Sequence, residues 1–221
     1  MEWKQFKGKE NKMENNKSDS NKKLKILMLN YEFPPLGGGA SPVSYEIAKG
    51  YVKLGHEVDV VTMGYSELPE NEIKDGINIY RVKCMRKKKE ICQPWEQLSY
   101  INSAKKFLRV HMKTHSYDIN HTHFIIPTGV LALWMKKKYG LSYIVTSHGS
   151  DVLGYNNKRA FKYLYPLLKG KWKKIIKEAK FVTTPSQFLQ GKIKEITNYG
   201  NFIVIYNGID EGKFKPNLGV R

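Results

Sequence analysis

The stretch from Lys25 to Thr62, KILMLNYEFPPLGGGASPVSYEIAKGYVKLGHEVDVVT, constrains this chain more than any other, because it reads as strand, glycine turn, helix and strand in unbroken succession. Leu24 to Leu29 is an apolar run interrupted only by Lys25, the pattern of a strand buried on both faces of a parallel sheet. Pro34 and Pro35 impose an extended path, and Gly37, Gly38 and Gly39 remove every Cβ where the chain must turn and where a ligand could approach the backbone. Val43, Ile47, Ala48, Tyr51, Val52 and Leu54 then fall at helical spacing, with Ser41 or Ser44 as candidate cap and Gly55 as the stop. Glu57 to Thr62 returns as a second buried strand. The segment is a βαβ unit, and such crossovers are right-handed in nearly all proteins.

A glycine turn between strand and helix is also the form of a dinucleotide site. Here the spacing is GGG rather than GxGxxG, and the second strand ends Val60, Val61, Thr62, Met63 without the acidic residue that would hold a cofactor ribose. An NAD or FAD site is therefore disfavoured, and no cofactor is expected. What remains is a phosphate cradle or a plain βα turn.

The chain's 221 residues suffice for one large α/β domain and its core. Lys and Arg total 38 against 20 Asp and Glu, a formal charge of +18, which raises polyanions, anionic membranes and phosphorylated ligands as partners. The lysines are spread along the whole chain, as on a solvated surface, and no RRM, zinc-finger or basic-zipper pattern accompanies them, so nucleic acid is not expected. Cys84 and Cys92 lack CxxC spacing, which leaves a reduced, cytoplasmic protein as the expectation. Residues 1–23 are rich in Lys, Asn and Glu without the apolar core of a signal peptide, and read as a flexible tail. The longest apolar run, Phe124 to Met135, contains Pro127 and Gly129 and is too short to span a bilayer.

Alternation continues beyond the first unit. Tyr65 to Asp75 reads as a loop and Ile77 to Val82 as a third strand. Arg86 to Lys89 is a run of four positive charges on a surface loop. Trp95 to Met112 suits a long helix carrying Leu98, Tyr100, Ile101, Ala104, Phe107, Leu108 and Val110. Tyr117 to His123 is a strand with Asn120 and Thr122 on one face and His121 and His123 on the other. A helix starts near Thr128 and ends at Gly140, and Leu141 to Thr146 is the next strand. Lys158 to Lys180 reads as a lysine-studded helix bent or broken at Pro166. Phe181 to Thr184, a helix capped by Ser186 and running to about Thr197, and a strand at Phe202 to Ile205 complete the pattern. The expected fold is a Rossmann-like, doubly wound, mainly parallel sheet of about seven strands with helices on both faces. Ligands of such sheets sit beyond the carboxyl ends of the strands, so the glycine loop and Ser147-His148-Gly149-Ser150-Asp151 belong on one edge.

Five pieces taken in order, FPPLGGGA, GHEVDVVT, DINHTHF, SHGSDV and NGID followed by FKP, make residues 24–216 resemble the N-terminal half of the family 4 GT-B glycosyltransferases, the group of glycogen synthase and phosphatidylinositol mannosyltransferase relatives. The resemblance implies a retaining sugar transfer from a nucleotide-sugar donor, in a cleft between this acceptor-side domain and a nucleotide-sugar domain that is absent from this chain. It implies that Gly37, Gly38 and Gly39 turn backbone N–H groups toward the donor pyrophosphate, that His148 lies near the transferred sugar with Asp151 nearby, and that His121, His123, Gly149 and Ser150 line the cleft. Asp151 is not expected to be a covalent nucleophile. The acceptor is open, lipid-linked, polysaccharide and small-molecule acceptors all occurring among relatives, and a peripheral site at the inner face of the membrane is a candidate location. The fragment alone is expected to be inactive.

The chemistry asks for the same groups. Breaking a sugar–diphosphate bond passes through a cation-like sugar and leaves a charged pyrophosphate, so donors are needed at the phosphates and hydrogen bonds at the sugar. His121 and His123 have a spacing that could hold zinc, but the third ligand would have to be His148 and no cysteine is near, so no metal is expected. His56 reads as structural and Asp210 as a turn residue. The alternative function is a stand-alone Rossmann-like binding protein for a phosphorylated or anionic ligand.

Overall fold

The computed structural model describes residues 22–154 and 159–208, with the side chains of 159–167 left aside. In chain order the elements are β1 (Lys25–Leu29), α1 (Ala40–Lys53), β2 (Glu57–Met63), β3 (Asn71–Lys74), β4 (Ile77–Val82), α2 (Pro94–His111), β5 (Ile119–His123), α3 (Gly129–Tyr139), β6 (Tyr143–Thr146), α4 (Arg159–Glu178), β7 (Phe181–Thr184), α5 (Gln187–Lys194) and β8 (Phe202–Val204). One eight-stranded sheet runs β3-β4-β2-β1-β5-β6-β7-β8. Every pairing is parallel except β3 with β4.

The doubly wound α/β expectation holds, with one strand more than the seven expected. The extra strand is β3, inside the stretch read as a loop. Its residues alternate weakly and only Glu72 is even half-buried, so hydrophobic periodicity had nothing to register. What holds it is Arg81 of β4, a buried guanidinium that bonds the Glu72 carboxylate at 2.7 Å and the Pro69 carbonyl at 3.2 Å.

β1 sits at the centre because its residues are apolar on both faces. Leu27 and Leu29 pack with Tyr100 and Leu108 of α2 and with Leu131 and Met135 of α3. Ile26 and Met28 point to the opposite face and pack with Ala48 of α1. Burial of each such side chain is worth about 1.5–3 kcal/mol. On the other half of the sheet Tyr143, Val145 and Val182 lie against Trp172, Ile175 and Ile176 of α4. The stripe of α2 that faces the core is Tyr100, Ile101, Ala104 and Leu108, neighbours along one helical face; Leu98 and Val110, expected on that stripe, fall off it and stand exposed.

Helix ends differ in detail from expectation. Gly39 is the N-cap of α1, so Ser41 and Ser44 lie inside the first turns, buried, rather than capping it. Ser186 does cap α5, its Oγ accepting from Leu189 N–H at 3.2 Å, but that helix stops at Lys194. α4 runs through Pro166 without a break. Gly55 and Gly140 end α1 and α3 in the left-handed region, at φ +87° and +70°. His56 accepts from Leu24 N–H, a structural role as expected. Asp210 and the FKP stretch lie outside the described residues.

Trp172 joins helix to rim: its ring is fully buried and its Nε1–H donates to the Asp151 carbonyl at 2.9 Å. Trp172→Ala is expected to cost about 3–5 kcal/mol of unfolding free energy through the cavity left behind. Trp172→Phe, which fills most of the space and loses the donor, is expected to cost about 1–3 kcal/mol. Urea unfolding followed by far-ultraviolet circular dichroism measures both.

Candidate functional site

All parallel strands of the sheet end at one edge, and there the chain path divides. β1 is followed by β2 and β4 on one side and, after α2, by β5 on the other, so the crevice between the carboxyl ends of β1 and β5 is the topological switch point.

The β1 side is wired by Asn30, which is wholly buried. Its amide accepts from Glu32 N–H at 3.0 Å and donates to the Glu32 carbonyl at 2.5 Å and to Ser44 Oγ at 2.9 Å, tying the strand end to α1. The glycines that follow have different tasks. Gly37 adopts φ +96°, and a Cβ there would lie 2.5 Å from Glu32 Cβ, so no other residue fits. Its N–H donates to the Lys89 carbonyl at 2.8 Å. Gly38 N–H faces Glu32 Oε2 at 3.4 Å. Gly38 and Gly39 are exposed, and a Cβ on either would meet nothing within 4 Å. The turn thus keeps open space in front of two glycines at the start of α1, where unpaired N–H groups and the helix dipole favour negative charge.

The Arg86–Lys89 run is part of this arrangement. Lys87, Lys88 and Lys89 are exposed, as expected of a surface loop, but Arg86 is half-buried. Arg86 donates to the carbonyls of Tyr31 at 3.3 Å, Lys88 at 3.0 Å and Lys89 at 2.7 Å, stitching the loop after β4 onto the glycine loop. Glu32 carries two opposed influences: burial pushes its carboxyl up, while the Gly38 N–H and Arg86 pull it down, and burial prevails.

The β5 side is unusual for a central strand because Asn120, His121, Thr122 and His123 are all buried. Asn120 donates to the Leu27 carbonyl at 3.2 Å and accepts from Thr122 Oγ1. His121 bonds Tyr51 OH at 3.0 Å and Thr146 Oγ1 at 2.7 Å. His123 Nδ1 lies 3.0 Å from His148 Nε2. The rings form a line, His121 to His123 at 4.6 Å and His123 to His148 at 5.3 Å. Burial holds all three imidazoles neutral, pushing His121 and His148 down to about 4 and His123 well below its ordinary range, with neighbouring rings adding to the effect on His121 and His123. Both ring nitrogens of His121 are engaged by hydroxyls, and among the described residues no three His, Cys, Asp or Glu side chains are grouped to hold a metal ion.

Asp151 faces inward. Its carboxylate accepts from Ile125 N–H at 2.7 Å, Ser147 Oγ at 2.9 Å, Gly149 N–H at 3.0 Å and His148 N–H at 3.1 Å. Burial pushes its carboxyl up against the pull of these donors. It pins the 147–151 loop around itself, with Gly149 at φ +98° and Ser150 exposed at the turn. His148 remains half-buried above it.

Two residues bridge the sides. Phe124 follows β5 at φ +72°, a left-handed conformation that costs a bulky residue about 1 kcal/mol or more. Its ring contacts Tyr31 at 4.8 Å and His148 at 4.9 Å. Glycine loop, Tyr31, Phe124 and His148 therefore form one continuous rim. Sequence reading missed Tyr31, Glu32, Arg86 and Phe124; a signal was present only for Arg86, an arginine among lysines. A hollow of about 540 Å³ lined by Phe181, Lys194, Asn201 and Phe202 lies at the opposite edge, at the amino ends of β7 and β8, away from these groups.

The Glycosyltransferase Family 4 model matches residues 37–213, and the chain belongs to that family. Among curated proteins it is similar to two uncharacterized glycosyltransferases of Methanocaldococcus jannaschii. One is 27% identical over 204 residues, covering 89% of this chain and 54% of the relative; the other is 30% identical over 207 residues, covering 88% and 49%. The chain thus spans about half the length of the curated relatives it matches. Among solved structures it resembles sucrose-phosphate synthase from Thermosynechococcus elongatus, with a TM-score of 0.73 at 14% identity over 86% of this chain and 49% of that one. It also resembles a glycosyltransferase from Rickettsia africae, with a TM-score of 0.52 at 20% identity over 88% and 47%. The fold is one Rossmann-like half of a GT-B glycosyltransferase. No helix among the described residues is long and apolar enough to cross a membrane.

The three neutral histidines give stability a pH signature. Their folded-state values lie below the ordinary 6.5, so between that value and about 4 the unfolded chain binds protons that the folded chain refuses. Stability is expected to be fully present above pH 7 and to fall as the pH drops toward 4. Replacing His121 by Gln should flatten the slope of the urea midpoint against pH; an unchanged slope would show that the ring takes its proton as readily in the folded chain as in the unfolded one.

Proposed function

We propose that this chain is the acceptor-side domain of a retaining hexosyltransferase that uses a nucleotide-sugar donor, with the glycine loop receiving the donor pyrophosphate and His148 the transferred sugar. The observation that carries this reading is the continuous rim from glycine loop through Tyr31 and Phe124 to His148 across the switch point. Family membership supports the sugar transfer, and the open space at Gly38 and Gly39 supports the phosphate seat.

Departure of the diphosphate concentrates negative charge, which the free N–H groups at the start of α1 can share with the helix dipole. The sugar left behind is cation-like, and a protonated histidine beside it would oppose its formation. His148, held neutral by burial, offers hydrogen bonding without that penalty. Asp151 acts through the loop: with four donors already on its carboxylate it positions His148 rather than attacking the sugar. His121, His123, Gly149 and Ser150 shape the wall behind it. The acceptor is a hydroxyl of lipid-linked, polysaccharide or small-molecule class, and the formal charge of +18 supports work at an anionic membrane surface, on the cytoplasmic side.

Half the length of the relatives is matched, so the donor-binding half is assigned to a second domain. The isolated chain should fold and transfer no sugar. Joined to the donor domain of a family member, it should release nucleoside diphosphate from one of a panel of nucleotide sugars; turnover by the isolated chain would overturn this division of labour. In the joined protein Gly38→Val should lower turnover at least tenfold while leaving the urea midpoint nearly unchanged, because a Cβ there meets nothing within 4 Å and would intrude on the proposed phosphate seat. Gly37→Ala should instead lower the urea midpoint.

A further inference from the structure

His123 is wholly buried, and its Nε2 has no hydrogen-bond partner among the described residues. Its other nitrogen meets His148 Nε2 at 3.0 Å. Two neutral imidazoles can share one hydrogen bond in only two ways. If His123 Nδ1–H donates, His123 buries a bare lone pair at Nε2, and His148, accepting at Nε2, must carry its own proton on Nδ1. If His148 Nε2–H donates, His123 must carry its proton on Nε2 and bury an N–H with nothing to receive it. Orphaned buried N–H groups are rarer in proteins than under-used acceptors, so the first arrangement is favoured.

We propose that His123 is a positioning residue that fixes the proton of His148 on Nδ1, so that His148 meets a ligand only as a hydrogen-bond donor. The Nδ1 edge of His148 has no partner among the described residues, and the ring is only half-buried beside Phe124. The ligand atom it selects is an oxygen with a lone pair to give, such as a sugar hydroxyl oxygen. The same arrangement removes His148 from service as a general base, because its only lone pair is already occupied by His123. His121 cannot take over the role of His123, since both of its nitrogens are engaged by the hydroxyls of Tyr51 and Thr146. That His148 faces the sugar rests on the functional reading above; where its proton sits does not.

The test is a long-range ¹H–¹⁵N correlation spectrum of the full 221-residue chain with ¹⁵N-labelled histidine near pH 7.5, the His148 signals assigned by their loss in His148→Gln. The wild-type ring should show the Nδ1–H pattern. His123→Asn, whose amide can donate from a similar position, should keep it, and His123→Phe should move His148 toward the Nε2–H form that imidazole prefers in water. An Nε2–H pattern in the wild type, or an Nδ1–H pattern that survives in folded His123→Phe, would overturn the proposal. In the protein joined to a donor domain, kcat/KM should fall about tenfold for His123→Phe and recover in His123→Asn. A tautomer that shifts with kcat/KM unchanged would instead overturn the reading of His148 as the sugar's partner and leave the proton assignment standing.

Discussion

A parallel sheet covered by helices on both faces can expose polar chemistry in one place only, beyond the ends of its strands. The central strands here obey that constraint closely. β1 is apolar on both sides, and β5 carries polar groups that are nearly all satisfied internally, so that solvent and ligand meet the sheet at the loops after Leu29, His123 and Thr146. The rim residues inherit their placement from strand register. Leu29 pairs with Thr122 and His123 with Thr146, which brings the loops that follow side by side.

Within that rim, two carboxylates are held by different sets of donors. Asp151 is surrounded by donors from its own loop and from the Ile125 N–H, and a charge so enclosed is costly to disturb because its removal leaves four donors without a partner. Glu32 is held instead by a long contact to Gly38 N–H and by the Tyr31 hydroxyl, and lies near Arg86.

The order of strands and helices was legible because it rests on burial, and burial leaves its period in the sequence. The apolar run at Leu24–Leu29 could hardly be read otherwise. β3 escaped because its hold on the sheet comes from Arg81 and Glu72, an ion pair with no periodic trace. The convergence of the glycine loop and His148 on one edge was likewise legible, since it follows from strand direction alone. The aromatic bridge was not: Tyr31 and Phe124 look like ordinary core residues in the sequence, and the positive φ of Phe124 is imposed by its surroundings, against its own preference. Nor could spacing separate a pair of histidines that pack from a pair that share a proton, because that difference lies in which nitrogen finds a partner.

Polar groups in a central strand cost stability unless each is matched, and in β5 the matching runs in a definite direction. Thr122 gives its hydroxyl proton to Asn120, and His121 is closed off by Tyr51 and Thr146. His123 alone has an atom left over, Nε2, and it is the residue in contact with the ring that reaches the crevice. A fully matched strand would be a better core and would leave His148 free to take either tautomer. The single unmatched nitrogen is a cost of about 1–3 kcal/mol against folding, and what it secures is that only one proton arrangement on the half-buried His148 ring remains cheap. On this argument the defect in the core and the chemistry at the rim are one feature, reached through the His123–His148 contact.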